Sequence, residues 1–266
     1  QDAISARFPK LNRFMTGYNL AHIKTDNGFD LSRLICGSEG TLAVVSELTL
    51  KLTPIPLAKQ LLVLGYDSFD GALRDATQLV LQNPDAIETI DDTILTMAQD
   101  DVIWHQVKDY IAFPDAEPIA AINLVEFGGM DAGLLAQKID AVCAQLTQLG
   151  MRYSRVSDPK GMASLWELRK KGVGLLGNLP GKRRPIAFVE DTAVPPENLA
   201  DYIVEFRQLL DGMGVSYGMF GHVDAGCLHV RPALNMRDPE DALKLKLISD
   251  AVQALVQKYE GVMWGE

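Results

Sequence analysis

The chain has 266 residues, with 25 Lys and Arg against 35 Asp and Glu, a formal net charge of −10. Apolar residues make up 47% and charged residues 23%, the balance of a soluble globular protein. The length excludes a disulfide- or metal-stapled mini-protein. The acidic excess argues against a nucleic-acid groove, and no apolar run approaches the roughly 20 residues of a membrane-spanning helix.

The N-terminal Gln1-Asp2-Ala3-Ile4 lacks the basic and apolar regions of a secretory signal. There is no initiating Met, and the chain stops at Trp264-Gly265-Glu266 without a tapering tail. The expectation is an excised piece of a longer protein. Cys36, Cys143 and Cys227 form no CxxC pair. They read as free thiols of a reducing compartment, hence a cytoplasmic protein, either free or peripheral at the inner membrane. An iron–sulfur cluster held by this chain alone is disfavoured, because it needs about four thiolates.

The elements follow in order. A short helix is expected between Gln1 and Asn12, then turns at Thr16-Gly17-Tyr18-Asn19 and Asp26-Asn27-Gly28. A partly alternating β-type run spans Thr41–Leu52 and ends at Thr53-Pro54-Ile55-Pro56, where two prolines stop any ladder. A domain boundary is expected there, dividing residues 1–56 from residues 57–266. Gln60–Gly65 reads as a strand and Phe69–Gln82 as a helix. Ile119–Phe127 reads as a strand. Leu134–Leu149 reads as a helix burying Leu135, Ile139, Val142 and Leu146. Asp158-Pro159 caps another helix. Ile186–Val194 is a strand, Pro196–Met213 a helix and Gly218–Arg231 a hairpin. The last long helix, Asp241–Tyr259, turns Leu243, Leu247, Ala251 and Leu255 inward, and a strand at Gly261–Trp264 closes the chain. This order fits an α+β fold, an antiparallel sheet covered by helices on one face. A parallel α/β sheet is the alternative.

The sharpest chemical feature is Gly221-His222-Val223-Asp224-Ala225-Gly226-Cys227-Leu228-His229, which holds two of only four histidines. A two-residue turn at Ala225-Gly226 sets His222 opposite His229, with Cβ atoms about 4.5–5.5 Å apart. Such a pair can share a divalent metal. A hydrogen-bonded histidine pair beside a turn is the plainer alternative, and a three-residue turn would shift the register. Glu266 could complete a two-His, one-carboxylate set, but on spacing alone a solvated terminal Glu is the better reading.

Arg169 lies on the apolar stripe Met162, Leu165, Trp166, Arg169, Val173. Facing a core, it must meet an anion: a substrate carboxylate, or a protein carboxylate. Otherwise its head reaches water. Gly172-Val173-Gly174-Leu175-Leu176-Gly177 spells GxGxxG but follows a helix rather than a strand. It is rejected as a dinucleotide site and expected to unwind the helix end. Cys36-Gly37-Ser38-Glu39-Gly40-Thr41 lets a backbone approach a bulky or anionic ligand, or is a tight turn before a strand.

Taken together, Thr16–Leu20, Leu34–Leu42 and Leu48–Pro54 resemble the end of the FAD-binding domain of PCMH-type FAD-linked oxidases. Gly221-His222…Gly226…His229 and Gly261…Gly265-Glu266 resemble the C-terminal domain of that family, in the D-lactate and D-2-hydroxyglutarate dehydrogenase branch. The stretch Phe220–Pro232 is most similar to long bacterial members that continue into an iron–sulfur domain. The resemblance implies a flavin-dependent dehydrogenase of a small D-2-hydroxy acid with an unknown electron acceptor. FAD would lie along Gly37, Ser38, Glu39, Gly40 and Thr41. A divalent metal (Zn, Mn or Fe) would sit on His222, His229 and Glu266, and Arg169 would hold the substrate carboxylate. A 4Fe-4S cluster is implied only beyond this chain, as is the histidine base that follows the GE dipeptide. Cys227 stands where the family has a substrate-facing Asn. Val173 and Val189 replace a Thr and a Lys for a distal carboxylate, for which Lys182, Arg183 or Arg184 would have to compensate. Two other classes stay open: a metal hydrolase using the same histidines, and a non-catalytic substrate-binding or docking module.

Overall fold

The computed structural model describes residues 2–11, 13, 17–26, 28–113, 119–178 and 181–265. Gln1, Asn12, Thr16, Asn27 and Glu266 of the readings above lie outside them. The N-terminal part holds α1 (Asp2–Arg7), a two-stranded ribbon of β1 (Lys24–Thr25) and β2 (Gly28–Phe29), and α2 (Leu31–Cys36). The Asp30 carboxylate caps α2 by accepting from the Ser32 amide.

Residues 42–57 then run as exposed chain with no ladder partner among the described residues. The β-type run expected over Thr41–Leu52 is therefore not a strand here. Its alternation is real, but a strand exists only where another backbone pairs with it.

The remainder forms an eight-stranded sheet among the described residues, in the order β6-β3-β5-β4-β9-β10-β7, with β8 also on β10. The strands are β3 (Ala58–Tyr66), β4 (Ala86–Asp91), β5 (Ala121–Gly129), β6 (Arg152–Val156), β7 (Arg184–Pro185), β8 (Thr192–Ala193), β9 (Tyr217–His222) and β10 (Cys227–Leu234). The pairings are antiparallel. This is the expected α+β sheet, and the parallel alternative falls.

Helices cover both faces of the sheet, not one. The reason is legible in β3, where Leu61, Leu62, Val63 and Leu64 are all fully buried, so consecutive residues need cover on opposite sides. One core holds Leu62, Leu64, Ile87 and Val125 against α3 (Phe69–Val80), α6 (Ala132–Gln148), α8 (Leu199–Gly212) and α9 (Pro239–Lys258). The other holds Leu61, Val63, Ile90, Leu124 and Phe220 against α4 (Asp92–Ala98), α5 (Trp104–Ile111) and α7 (Pro159–Leu176).

Local signals account for many of the boundaries. Asp158 caps α7 through the Gly161 amide with Pro159 in the first turn, and Asp131 caps α6 through Gly133 and Leu134. Of the strand expected over Ile186–Val194 only β8 forms, because residues 187–191 leave the ladder, and β7 lies just before the expected range. The strand expected at Gly261–Trp264 is a single bridge, Val262 to Ala193. In α9 the buried apolar positions are Ile248, Val252 and Val256. Leu243 and Leu247 are exposed, so the inward stripe is rotated from the expected one.

Candidate functional site on the hairpin face

The β9–β10 hairpin has a four-residue connection. Val223–Ala225 make a 3-10 turn, and Gly226 closes it at φ 68°. Gly is required there, because an added Cβ would also collide with the Val194 carbonyl oxygen. The ladder pairs His229 with Phe220, so His222 and His229 are diagonal rather than directly opposed. The expected register is off by two residues. A two-residue slip preserves side-chain parity, so both histidines share one face, with ring centroids 5.3 Å apart and edge to face.

Each imidazole is held by a carboxylate. The Nδ1 of His222 lies 2.6 Å from Glu88 Oε1, whose β4 position is paired with His222 in the ladder. The Nδ1 of His229 lies 2.5 Å from Asp191 Oδ1 and 3.4 Å from Glu190 Oε1. Glu190 also accepts two bonds from the Arg231 guanidinium, at 3.0 and 2.7 Å. Ligand atoms of Glu190, Asp191 and His229 lie within 4.8 Å of one another.

Arg169 comes from α7 and donates through Nε to Glu88 Oε2 at 2.9 Å. Its guanidinium covers the Phe220 ring at 5.1 Å, and one terminal nitrogen lies 3.5 Å from His222 Nε2. Of the partners considered for Arg169, the protein carboxylate is the one present. A guanidinium carries five N–H donors, so pairing with Glu88 orients the fork without exhausting it. The GxGxxG run does not unwind the helix, for α7 continues through Leu176. Gly172 instead allows the helix to approach Ile94 and Phe220.

The electrostatics follow from these contacts. Burial alone would raise the Glu88 pKa, but the His222 hydrogen bond and the Arg169 charge outweigh it and hold the carboxyl below its ordinary value. Burial opposes the His229 cation, yet the bonds to Asp191 and Glu190 prevail and its pKa is raised. Asp224 is raised by burial and by the Glu88 charge. The face thus combines two oriented imidazoles with a carboxylate-rich surround. Its donor set fits a divalent cation.

Other expected residues lie differently. Cys227 has no exposed surface and packs with Leu11 and Ala193. Burial pushes its thiol up to about 12, and the side chain is covered by protein on all sides. Arg183 is committed to Asp241 in a bidentate pair at 2.8 and 2.7 Å. Lys182 and Arg184 border a separate cavity of about 850 Å³ that no residue of the histidine cluster lines. Val189 is fully buried in the core on the far face. None of the three cations thus stands in this cluster.

The Gly37–Thr41 loop caps α2. Ser38 is buried, while Glu39 and Gly40 take consecutive left-handed values of φ, 49° and 78°. The Thr41 hydroxyl donates to the Ser38 carbonyl at 2.6 Å and meets the Tyr18 hydroxyl at 2.8 Å. A Cβ on Gly37 would strike the Gly17 carbonyl oxygen. The loop thus presents the exposed backbone of Glu39–Thr41, a shape a bulky ligand can approach.

Sequence reasoning missed Glu88, Glu190, Asp191 and Arg231. Their signals were a lone carboxylate within Ile87-Glu88-Thr89-Ile90, an acidic pair inside an otherwise apolar run, and an Arg two residues after His229.

Residues 55–266 match the family described as FAD linked oxidases, C-terminal domain. A protein named D-2-hydroxyglutarate dehydrogenase from Pantoea ananatis is 50% identical over all of this chain, which spans 27% of that protein. One of the same name from Escherichia coli is 48% identical over 97% of the chain and 26% of its own length. The chain therefore spans about a quarter of the length of these relatives. Among solved structures, an alkyldihydroxyacetonephosphate synthase superposes with a TM-score of 0.64 at 17% identity, over 90% of this chain and 46% of that one. That likeness concerns the fold alone.

Proposed function

The chain belongs to the FAD-linked oxidases through their C-terminal domain, and on that footing we propose that it supplies the substrate side of a flavin-dependent dehydrogenase. The substrate is a D-2-hydroxy acid of the D-2-hydroxyglutarate or D-lactate type, oxidised to the 2-oxo acid. The relatives named above support the former. The observation that carries the reading is the meeting of Arg169 and His222 on one buried carboxylate, Glu88, with the His229 ring packed edge to face against His222. An α-hydroxy acid offers a carboxylate for an arginine fork and two oxygens for a cation held by imidazoles.

In this reading Arg169 receives the C1 carboxylate and His222, His229 and Glu266 hold the divalent metal. The hydrogen bond from the Gly265 amide to the Asp191 carbonyl at 2.7 Å supports the inclusion of Glu266, since it ties the preceding residue to the neighbour of His229. The metal would lower the hydroxyl pKa and orient the substrate. Bound flavin would supply the hydride acceptor. Residues 1–56 are the tail of the FAD-binding domain and residues 57–266 the substrate domain, with Gly37, Ser38, Glu39, Gly40 and Thr41 lying against FAD. Electron exit through a 4Fe-4S part of a longer, cytoplasmic protein belongs to the same reading. Among the described residues, no helix is long and apolar enough to cross a membrane.

The test is a flavin absorbance spectrum of the full-length protein before and after anaerobic addition of D-2-hydroxyglutarate and D-lactate separately. Bleaching by one acid is expected. A colourless protein that takes up no FAD would sink the proposal. His222→Ala should remove both metal and turnover, the latter by at least ~100-fold.

A further inference from the structure

The two histidines are gripped in the same way from opposite sides. Glu88 reaches His222 Nδ1 across the β4–β9 ladder, and Asp191 reaches His229 Nδ1 from the segment before β8. A neutral imidazole whose Nδ1 donates to a carboxylate carries its lone pair on Nε2. We propose that Asp191 and Glu88 are positioning residues that set both histidines for Nε2 ligation, and that Asp191 is not itself a ligand. This rests on the divalent-metal reading above.

The backbone supports a dedicated role for Asp191. It adopts φ 65°, a left-handed conformation that non-glycine residues seldom take unless their surroundings impose it. Here they do. Gly265 donates to its carbonyl, the Ala193 and Val262 amides and carbonyls bond reciprocally, and Val194 donates to the Gly226 carbonyl. The segment is thus tied between the chain end and the hairpin turn, and the strained residue points its carboxylate at His229. Glu190 is tied up by Arg231 on its other side. The competing arrangement seats a cation on His229 Nδ1 together with Glu190 and Asp191. The hydrogen bond opposes it, because an Nδ1 that donates to the Asp191 oxygen at 2.5 Å has no lone pair left for a cation.

Asp191→Gly is an unusually clean test. Glycine is at ease at positive φ, so the carboxylate is removed without backbone strain. In the full-length protein, Zn²⁺ affinity measured by chelator competition should fall 10- to 100-fold, as for other residues that orient a metal-bound histidine, while the metal-free variant keeps the wild-type circular-dichroism spectrum. Asp191→Asn, which keeps an acceptor oxygen for Nδ1–H, should recover most of that affinity. X-ray absorption at the zinc edge should count two imidazole ligands in both variants. Unchanged affinity in Asp191→Gly overturns the positioning role alone. Loss of stoichiometric zinc at saturating concentration, with no recovery in Asp191→Asn, overturns it in favour of direct ligation. A wild-type protein that binds no divalent metal overturns the metal reading itself, and this inference with it.

Discussion

Two stretches of this chain are written in β-type residues, and they behave in opposite ways. Residues 58–66 form β3, hydrogen-bonded to β5 on one side and β6 on the other. Residues 42–57 carry Val44, Leu50 and Leu52 at 95%, 70% and 84% exposure, with no ladder. The difference lies in partners, not in propensity. Burial of both faces and pairing on both edges stabilise β3, while the extended segment gains neither. Its exposed apolar residues sit in the part that resembles a flavin-binding domain, which is where a longer protein would supply the missing strands.

This contrast can be sharpened by mutation. Leu62→Ala in β3 should cost about 3 kcal/mol or more, because Leu62 is fully buried in the larger core. A urea titration of the 266-residue chain measures it, and a loss under ~1 kcal/mol would mean that the sheet is not the stable body it is taken for.

A smaller effect is expected at the far end of the same sheet. Asp241 is buried and paired with Arg183, which holds its carboxyl below the ordinary value, helped by the Asn235 amide. A depressed folded-state pKa contributes stability that is present above the unfolded value near 3.8. That contribution is lost as pH falls through the lower folded value. Asp241→Asn should cost roughly 1–3 kcal/mol at pH 7 and flatten the acid limb of the stability curve below about pH 4. If the mutant's acid limb overlays that of the wild type, the pair contributes nothing to it.

The smallest effect should fall in the extended segment. Leu50→Lys should change the stability of the 266-residue chain by less than ~0.5 kcal/mol, and amides 42–52 should exchange quickly with solvent. The same substitution in the full-length protein should cost more, because a paired strand buries one face. Equal costs in the two settings would remove the idea that this segment waits for strands outside the chain.

Where local signals were strong, the reading from sequence held. In α6 the residues expected inward, Leu135, Ile139, Val142 and Leu146, are the buried ones, because the apolar stripe is narrow and the Asp131 cap marks its start. In α9 apolar residues spread over a wide arc, and packing against β10 and α8 selected Ile248, Val252 and Val256 over Leu243 and Leu247. β4 went unseen because Glu88 and Asp91 interrupt its apolar pattern, and those carboxylates are where it meets Arg169 and Arg207.

By itself the sequence determined the α+β class, most of the long helices with their caps, and the shared face of His222 and His229. These depend on periodicity, capping and parity, which act over a few residues. Tertiary structure alone decided that helices cover both sheet faces and that the 42–57 run stays unpaired. It also decided the hairpin register, and that Glu88 from β4 and the adjacent Glu190 and Asp191 from the segment before β8 gather on the histidines. These are choices of partner between segments up to about 130 residues apart, as with Glu88 and His222. Local sequence carries no record of which distant backbone or charge will arrive.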